Sequence, residues 1–186
     1  MLDFAVGRGA DTAPPGLSPL LARDIEHLLV SGTAAGEHDA FCEAAAAMLR
    51  RTYGVDVEPS SVLPAPGGRT AMSFLVVAAT APDDLLLVTE PGYPAMGRIA
   101  SQLRPSTLTV PLDPRRGFAP DLESVSEDAL GQMRFAALNY PNNPTAALPS
   151  PDAVTALRRH AAPDAVWFND ATYGPLVYGA RPFSRR

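Results

Sequence analysis

The sequence contains no lysine. All 15 of its Lys-plus-Arg residues are arginine, so no side-chain amine is available to form a Schiff base with a carbonyl compound. Cys42 is the only cysteine, which excludes an intramolecular disulfide and a cysteine metal cluster and reads as a small core residue. The three histidines have no second ligand at metal spacing, so His27 and His38 read as surface or partly packed residues and His160 as a cation suited to the end of a helix. A formal charge of −5 with no run of like charges leaves no basic footprint for nucleic acid and no charged tail. The start, MLDFAVGRGADTAPP, lacks a basic segment followed by a long apolar stretch. Neither a signal peptide nor a membrane span is expected, and the expected location is cytoplasmic.

What is present suits a globular chain: 186 residues, 46% of them hydrophobic, are enough for one domain with a real core. Two stretches organise it. In RFAALNYPNNPTA (134–146) and AVWFNDATY (165–173) a short apolar run ends abruptly in Asn, Pro or Asp, the pattern of a buried strand emerging at a sheet edge. In an open α/β sheet the carboxyl ends of the strands face the binding crevice, so side chains just past two neighbouring strands converge on one ligand. Between them Ser150 and Pro151 open a helix with Val154, Leu157 and Ala161 on one face, and Pro163 ends it. The resulting strand–helix–strand unit predicts parallel strands.

Upstream, SPLLARDIEHLLV (18–30) reads as a helix with Ser18 as N-cap, Pro19 at the first helical position, and Leu21, Ile25, Leu28 and Leu29 on one face. A second helix is expected over 39–53, with Phe41, Ala45, Met48, Leu49 and Thr52 on one side and Gly54 just past its end. In LPAPGGRTAMSFLVVAAT (63–80) a Gly-Gly turn opens an apolar helix, whose first backbone N–H groups form a ready phosphate site. DDLLLVTE (83–90) has the continuous apolar centre of a strand covered on both faces and runs into PGYP. Met96, Ile99, Ala100 and Leu103 give the next helix a buried stripe, and STLTVPL alternates like a strand. A loop and a short helical patch, ESVSEDALGQ, then lead to the first organising stretch.

Taken in order, these segments resemble the class I/II aminotransferases, the fold-type I enzymes that use pyridoxal 5'-phosphate (PLP). PNNPTA is similar to their PNNPTG segment, DATY to D-x-x-Y, GGRTAM to G-x-x-A-L, and GFAPD to a Gly-Phe-x-Pro-Asp loop. The resemblance implies an α/β large domain, mostly parallel sheet flanked by helices, with an N-terminal arm and helix over residues 1–35 and a partial PLP-binding domain over 36–186. It implies that Gly68, Arg69 and Thr70 meet the phosphate and that Tyr93 stacks on the ring. It places Asn143 and Tyr173 on the phenolic oxygen and Asp170 on the pyridine nitrogen. Gly7 matches only weakly a glycine near the substrate carboxylate, since Gly9 stands where that motif has Pro. Ala146 replaces the usual Gly, at a position where a positive φ would suit Ala poorly.

The family's Schiff-base lysine follows D-x-x-Y by a few tens of residues, beyond the end of this sequence. The expected function is therefore that of a PLP-dependent aminotransferase, moving an amino group between an amino acid and a 2-oxo acid, but truncated before the lysine. Such a chain would be a fragment of a longer gene, inactive alone, or one part of a split enzyme in a homo- or hetero-oligomer, binding PLP non-covalently at most. The alternative is a non-catalytic protein that uses the same cradle for PLP, another phosphorylated ring or a protein partner. A plain doubly wound α/β domain with an unrelated small ligand is the reading from outside the family. Nucleic acid and membrane are not among the expected partners.

Overall fold

A computed structural model describes residues 14–31, 36–103 and 105–178, with the side chains of 27, 28, 30 and 31 left out. Two helices lead the chain, α1 (Leu17–Ser31) and α2 (Glu37–Tyr53). Then come α3 (Gly68–Ala79), β1 (Leu85–Glu90), α4 (Ala95–Leu103), β2 (Ser106–Asp113) and the two-residue β3 (Ala119–Pro120). The last elements are α5 (Glu127–Gln132), β4 (Met133–Asn139), α6 (Pro151–His160) and β5 (Val166–Asp170).

The strands form one sheet in the order β3-β2-β1-β4-β5. β1, β2, β4 and β5 are parallel, and β3 pairs antiparallel with the end of β2. The expected parallel pairing of the strands either side of α6 is thus observed, with Asn139 opposite Asp170 at the carboxyl end.

Alternation along the central strands explains their apolar runs. Leu86, Phe135 and Ala137 pack with Met72 and Val76 of α3 and Met96 and Ala100 of α4. One residue on, Leu87, Ala136 and Leu138 turn to the opposite face, where Leu130 of α5 and Leu157 of α6 cover them. Leu86, Leu87, Phe135 and Ala136 are fully buried. A strand covered on both faces has no polar side to display, so LLLV and FAAL read as unbroken apolar segments. Ser150 opens α6 as expected, its Oγ accepting from Ala153 N–H, and Ser126 Oγ caps α5 in the same way by accepting from Ala129 N–H, so that α5 starts at Glu127 inside the expected helical patch.

The two leading helices depart from the reading in detail. α1 begins at Leu17, so Ser18 lies inside the helix; the turn before it closes through Leu17 N–H donating to the Pro14 carbonyl. Its apolar stripe is not buried, with Leu21, Ile25 and Leu29 at 50%, 53% and 80% exposure. Periodicity identifies a helix face but not what covers it. His27 and Leu28 have side chains outside the described residues. α2 begins two residues earlier than expected and buries Cys42 and Ala46 rather than Phe41 and Met48. The Cys42 thiol donates to the Val62 carbonyl at 3.4 Å, which agrees with its reading as a core residue. Gly7 lies outside the described residues.

Candidate functional site

Three chain segments leave the sheet at its carboxyl edge, after β1, β4 and β5, and the start of α3 meets them there. Together they enclose a cavity of about 250 Å³. Gly68, Arg69, Tyr93, Asn143, Asp170 and Tyr173 line it, with Met72 and Asn139. Six of the seven positions singled out as cofactor-binding therefore meet around one space. Thr70 is not in the lining; its hydroxyl donates to the Pro66 carbonyl.

Each side chain has a local cause. Asn139, the last residue of β4 and only 7% exposed, ties the site together. Its Oδ1 accepts from Asn143 N–H at 2.8 Å, and its Nδ2 donates to the Asp170 carbonyl at 3.0 Å. One buried amide thus fixes both the turn after β4 and the end of β5. Beside it, Tyr140 N–H donates to Asn169 Oδ1 and Asn169 Nδ2 donates back to the Tyr140 carbonyl, so the strands remain paired past the end of the regular ladder. Burial pushes the Tyr140 phenol up from its ordinary value, in the core cluster with Leu138 and Leu157.

Asn142, 2% exposed, organises the turn itself. Its Oδ1 accepts from Thr145 Oγ1 at 2.8 Å, and its Nδ2 donates to the Pro91 carbonyl, linking the exit of β4 to that of β1. Asn143 is left with its side-chain amide unpaired among the described residues. Asp170 Oδ1 accepts from Thr172 N–H and Thr172 Oγ1, at 3.0 and 2.6 Å. Its second oxygen has no protein donor among the described residues.

At the other approach, Gly67 has φ 100° and supplies no side-chain cap to α3. Ala71 N–H reaches the Gly67 carbonyl, so the N–H groups of Gly68 to Thr70 have no partner within the helix. The Arg69 guanidinium donates through Nε and Nη2 to the Tyr93 hydroxyl, at 3.4 and 3.3 Å. Among the described residues no three His, Cys, Asp or Glu side chains form a metal cluster.

The roles of Asn139, Asn142 and Thr172 were not assigned from sequence. The signal available was the run of polar residues directly after an apolar strand, which marks the place but not which amide faces inward.

Two backbone details carry predictions. Ala146 has φ 59°, the left-handed conformation that its place in the turn suggested. Holding a non-glycine residue there costs about 1–2 kcal/mol, part of which the greater freedom of glycine in the unfolded chain offsets. Ala146→Gly is expected to stabilise the chain by about 1 kcal/mol, read as a higher denaturant midpoint at unchanged slope; a lower midpoint would contradict it. Gly92 behaves oppositely, because a Cβ there would overlap the Thr89 carbonyl oxygen. Gly92→Ala must move the backbone beside Tyr93 and is expected to destabilise the chain by about 1–3 kcal/mol. An unchanged midpoint would show that the turn has room.

Comparison with known proteins agrees with this geometry. The chain matches the family "Aminotransferase class I and II" over residues 23–186. It is 29% identical over 187 residues to an LL-diaminopimelate aminotransferase of Methanocaldococcus jannaschii, covering 99% of this chain and 45% of that protein. An L-glutamine–4-(methylsulfanyl)-2-oxobutanoate aminotransferase of Bacillus subtilis is 33% identical over 144 residues, 76% of this chain and 36% of its own. Among solved structures, apo BacF from Bacillus subtilis superposes with a TM-score of 0.80 at 27% identity, over 94% of this chain and 48% of that one. The chain belongs to the class I and II aminotransferases and has the fold of their PLP-dependent, fold-type I large domain. It spans about half the length of the curated relatives it matches, 45% in the first case.

Proposed function

We propose that this chain supplies the cofactor cradle of a PLP-dependent aminotransferase whose lysine comes from sequence outside these 186 residues. The observation that carries the reading is a cavity lined by six of the seven candidate cofactor residues in a chain with no lysine. The residues present fit the cofactor. The uncapped start of α3 offers N–H groups to a phosphate, and Tyr93 offers an aromatic face. Asp170 keeps one carboxylate oxygen free for a protonated ring nitrogen, and Asn143 and Tyr173 present donors for an anionic oxygen.

Bound there, PLP would supply the electron sink that makes an amino acid's Cα proton removable. What this chain contributes is binding and orientation. Thr172 holds the Asp170 carboxylate, Asn139 holds the Asp170 backbone carbonyl, and the Asn142 turn holds Asn143. No side chain here can hold the cofactor covalently or serve as an amine base.

The surface supports a further covering segment. β5 pairs only with β4, leaving an open strand edge among the described residues. Beyond Asn143 and Tyr173 lies a second cavity of about 460 Å³, walled by Pro141, Ala146, Leu148 and Leu176. An apolar wall shared with the cofactor cradle is where a lysine-bearing segment can cover the edge and reach the site. The division into an arm and helix over 1–35 and a cradle over 36–186 belongs to the same proposal. No described helix is long and apolar enough to cross a membrane.

The test is to mix or co-express the full chain with a polypeptide carrying the lysine portion of a related aminotransferase. Co-elution on size exclusion, with a raised thermal midpoint from mass action, is expected. A chain that remains a stable monomer and neither binds nor gains stability would favour the non-catalytic binding protein instead.

A further inference from the structure

Arg69 stands on the second residue of α3, at the rim of the cavity, and takes part in no ion pair among the described residues. Asp170 lines the same cavity and is not paired with it. The site therefore carries one charge of each sign, neither neutralised by the other. Among the described residues the only protein partner of the guanidinium is the Tyr93 hydroxyl, which accepts from Nε and Nη2. A guanidinium has five N–H donors, so most of its donor capacity stays available beside the unpaired N–H groups of the helix start.

We propose that the Arg69 side chain is itself a clamp for the cofactor's phosphate, and that the Tyr93 hydroxyl is the positioning group that holds it there. The proposal rests on the reading that this cavity takes PLP and goes beyond the backbone contacts expected at Gly68 to Thr70. A phosphate monoester carries close to two negative charges near neutrality. The planar guanidinium fork matches its oxygens better than a point charge would. Tyr93 is then bifunctional: its ring faces the cofactor ring while its hydroxyl steers the cation to the other end of the same ligand. The geometry makes a competing orientation concrete, because Arg69 also borders a neighbouring cavity of about 300 Å³ with Ser73, Arg98 and Gln102. There the guanidinium would face away from the cofactor.

The test compares pyridoxine 5'-phosphate with pyridoxine, which share the ring, lack the aldehyde and differ in the phosphate. Both are titrated into the full chain by fluorescence for the parent, R69Q, Y93F and the double variant. Glutamine is used because lysine would introduce a reactive amine. R69Q is expected to weaken the phosphorylated ligand about ten- to hundred-fold while leaving pyridoxine within about two-fold. Y93F, which keeps the ring, is expected to lower the preference for the phosphorylated ligand several-fold and to add little on top of R69Q, since both act through one contact. A preference for phosphate that survives R69Q would overturn the clamp alone and leave the cofactor reading standing. A parent chain that binds neither ligand would overturn both.

Discussion

Purified alone, the chain is expected to transfer no amino group from any amino acid to any 2-oxo acid faster than free PLP does. Proton transfer by a positioned side chain contributes about 10²–10⁴-fold, and covalent activation through a lysine amine adds to it. The sequence has no lysine to provide either. The site offers a carboxylate at Asp170 and a phenol at Tyr173, but Asp170 is held by Thr172 and committed to the ring nitrogen in the proposed pose. Turnover is expected to appear when a lysine-bearing polypeptide is supplied and to titrate with it. Enzymatic rates from the chain alone, with contaminating aminotransferase excluded, would overturn the account.

The second large effect is expected at Asp170. A charge-assisted hydrogen bond is worth about 1.5–3 kcal/mol against about 1 kcal/mol for a neutral one. Asp170→Ala should therefore weaken PLP binding by about ten- to hundred-fold, and Asn143→Ala by about five-fold. The alanine variant also removes the acceptor for Thr172 and loosens the exit from β5. Asp170→Asn separates the two effects, because an amide oxygen can still take the Thr172 bonds while the charge is gone. Most of the loss should persist in Asp170→Asn. Equal losses in Asp170→Asn and Asn143→Ala would mean that the ring nitrogen is not seated on the carboxylate.

Much of the sheet was legible in the sequence because burial on both faces forces continuous apolar runs, and LLLV and FAAL are such runs. The place of the site was legible for a related reason: FAALN and VWFND pass from apolar to polar within one residue, and that residue is the end of the strand. The arrangement inside the site was not. Asn139, Asn142 and Asn143 have the same chemistry within five positions, and only the backbone path decides that the first two turn inward to hold the strands and the third faces the cavity. The contact between Arg69 and Tyr93 joins residues 24 apart in sequence across α3 and the β1 exit, and no periodicity signals it. The apolar stripe of α1 was seen correctly as a stripe, but its exposure depends on what lies against it, which a helical period does not encode.

The central claim, a PLP cradle without a lysine, is tested most directly by titrating the full chain with PLP, dialysing one half of the sample and reducing the other with borohydride before peptide mass spectrometry. The account predicts saturable binding that dialysis reverses and no pyridoxyl adduct on any side chain. Absence of saturable binding, or a reduced adduct on an internal peptide, would contradict it.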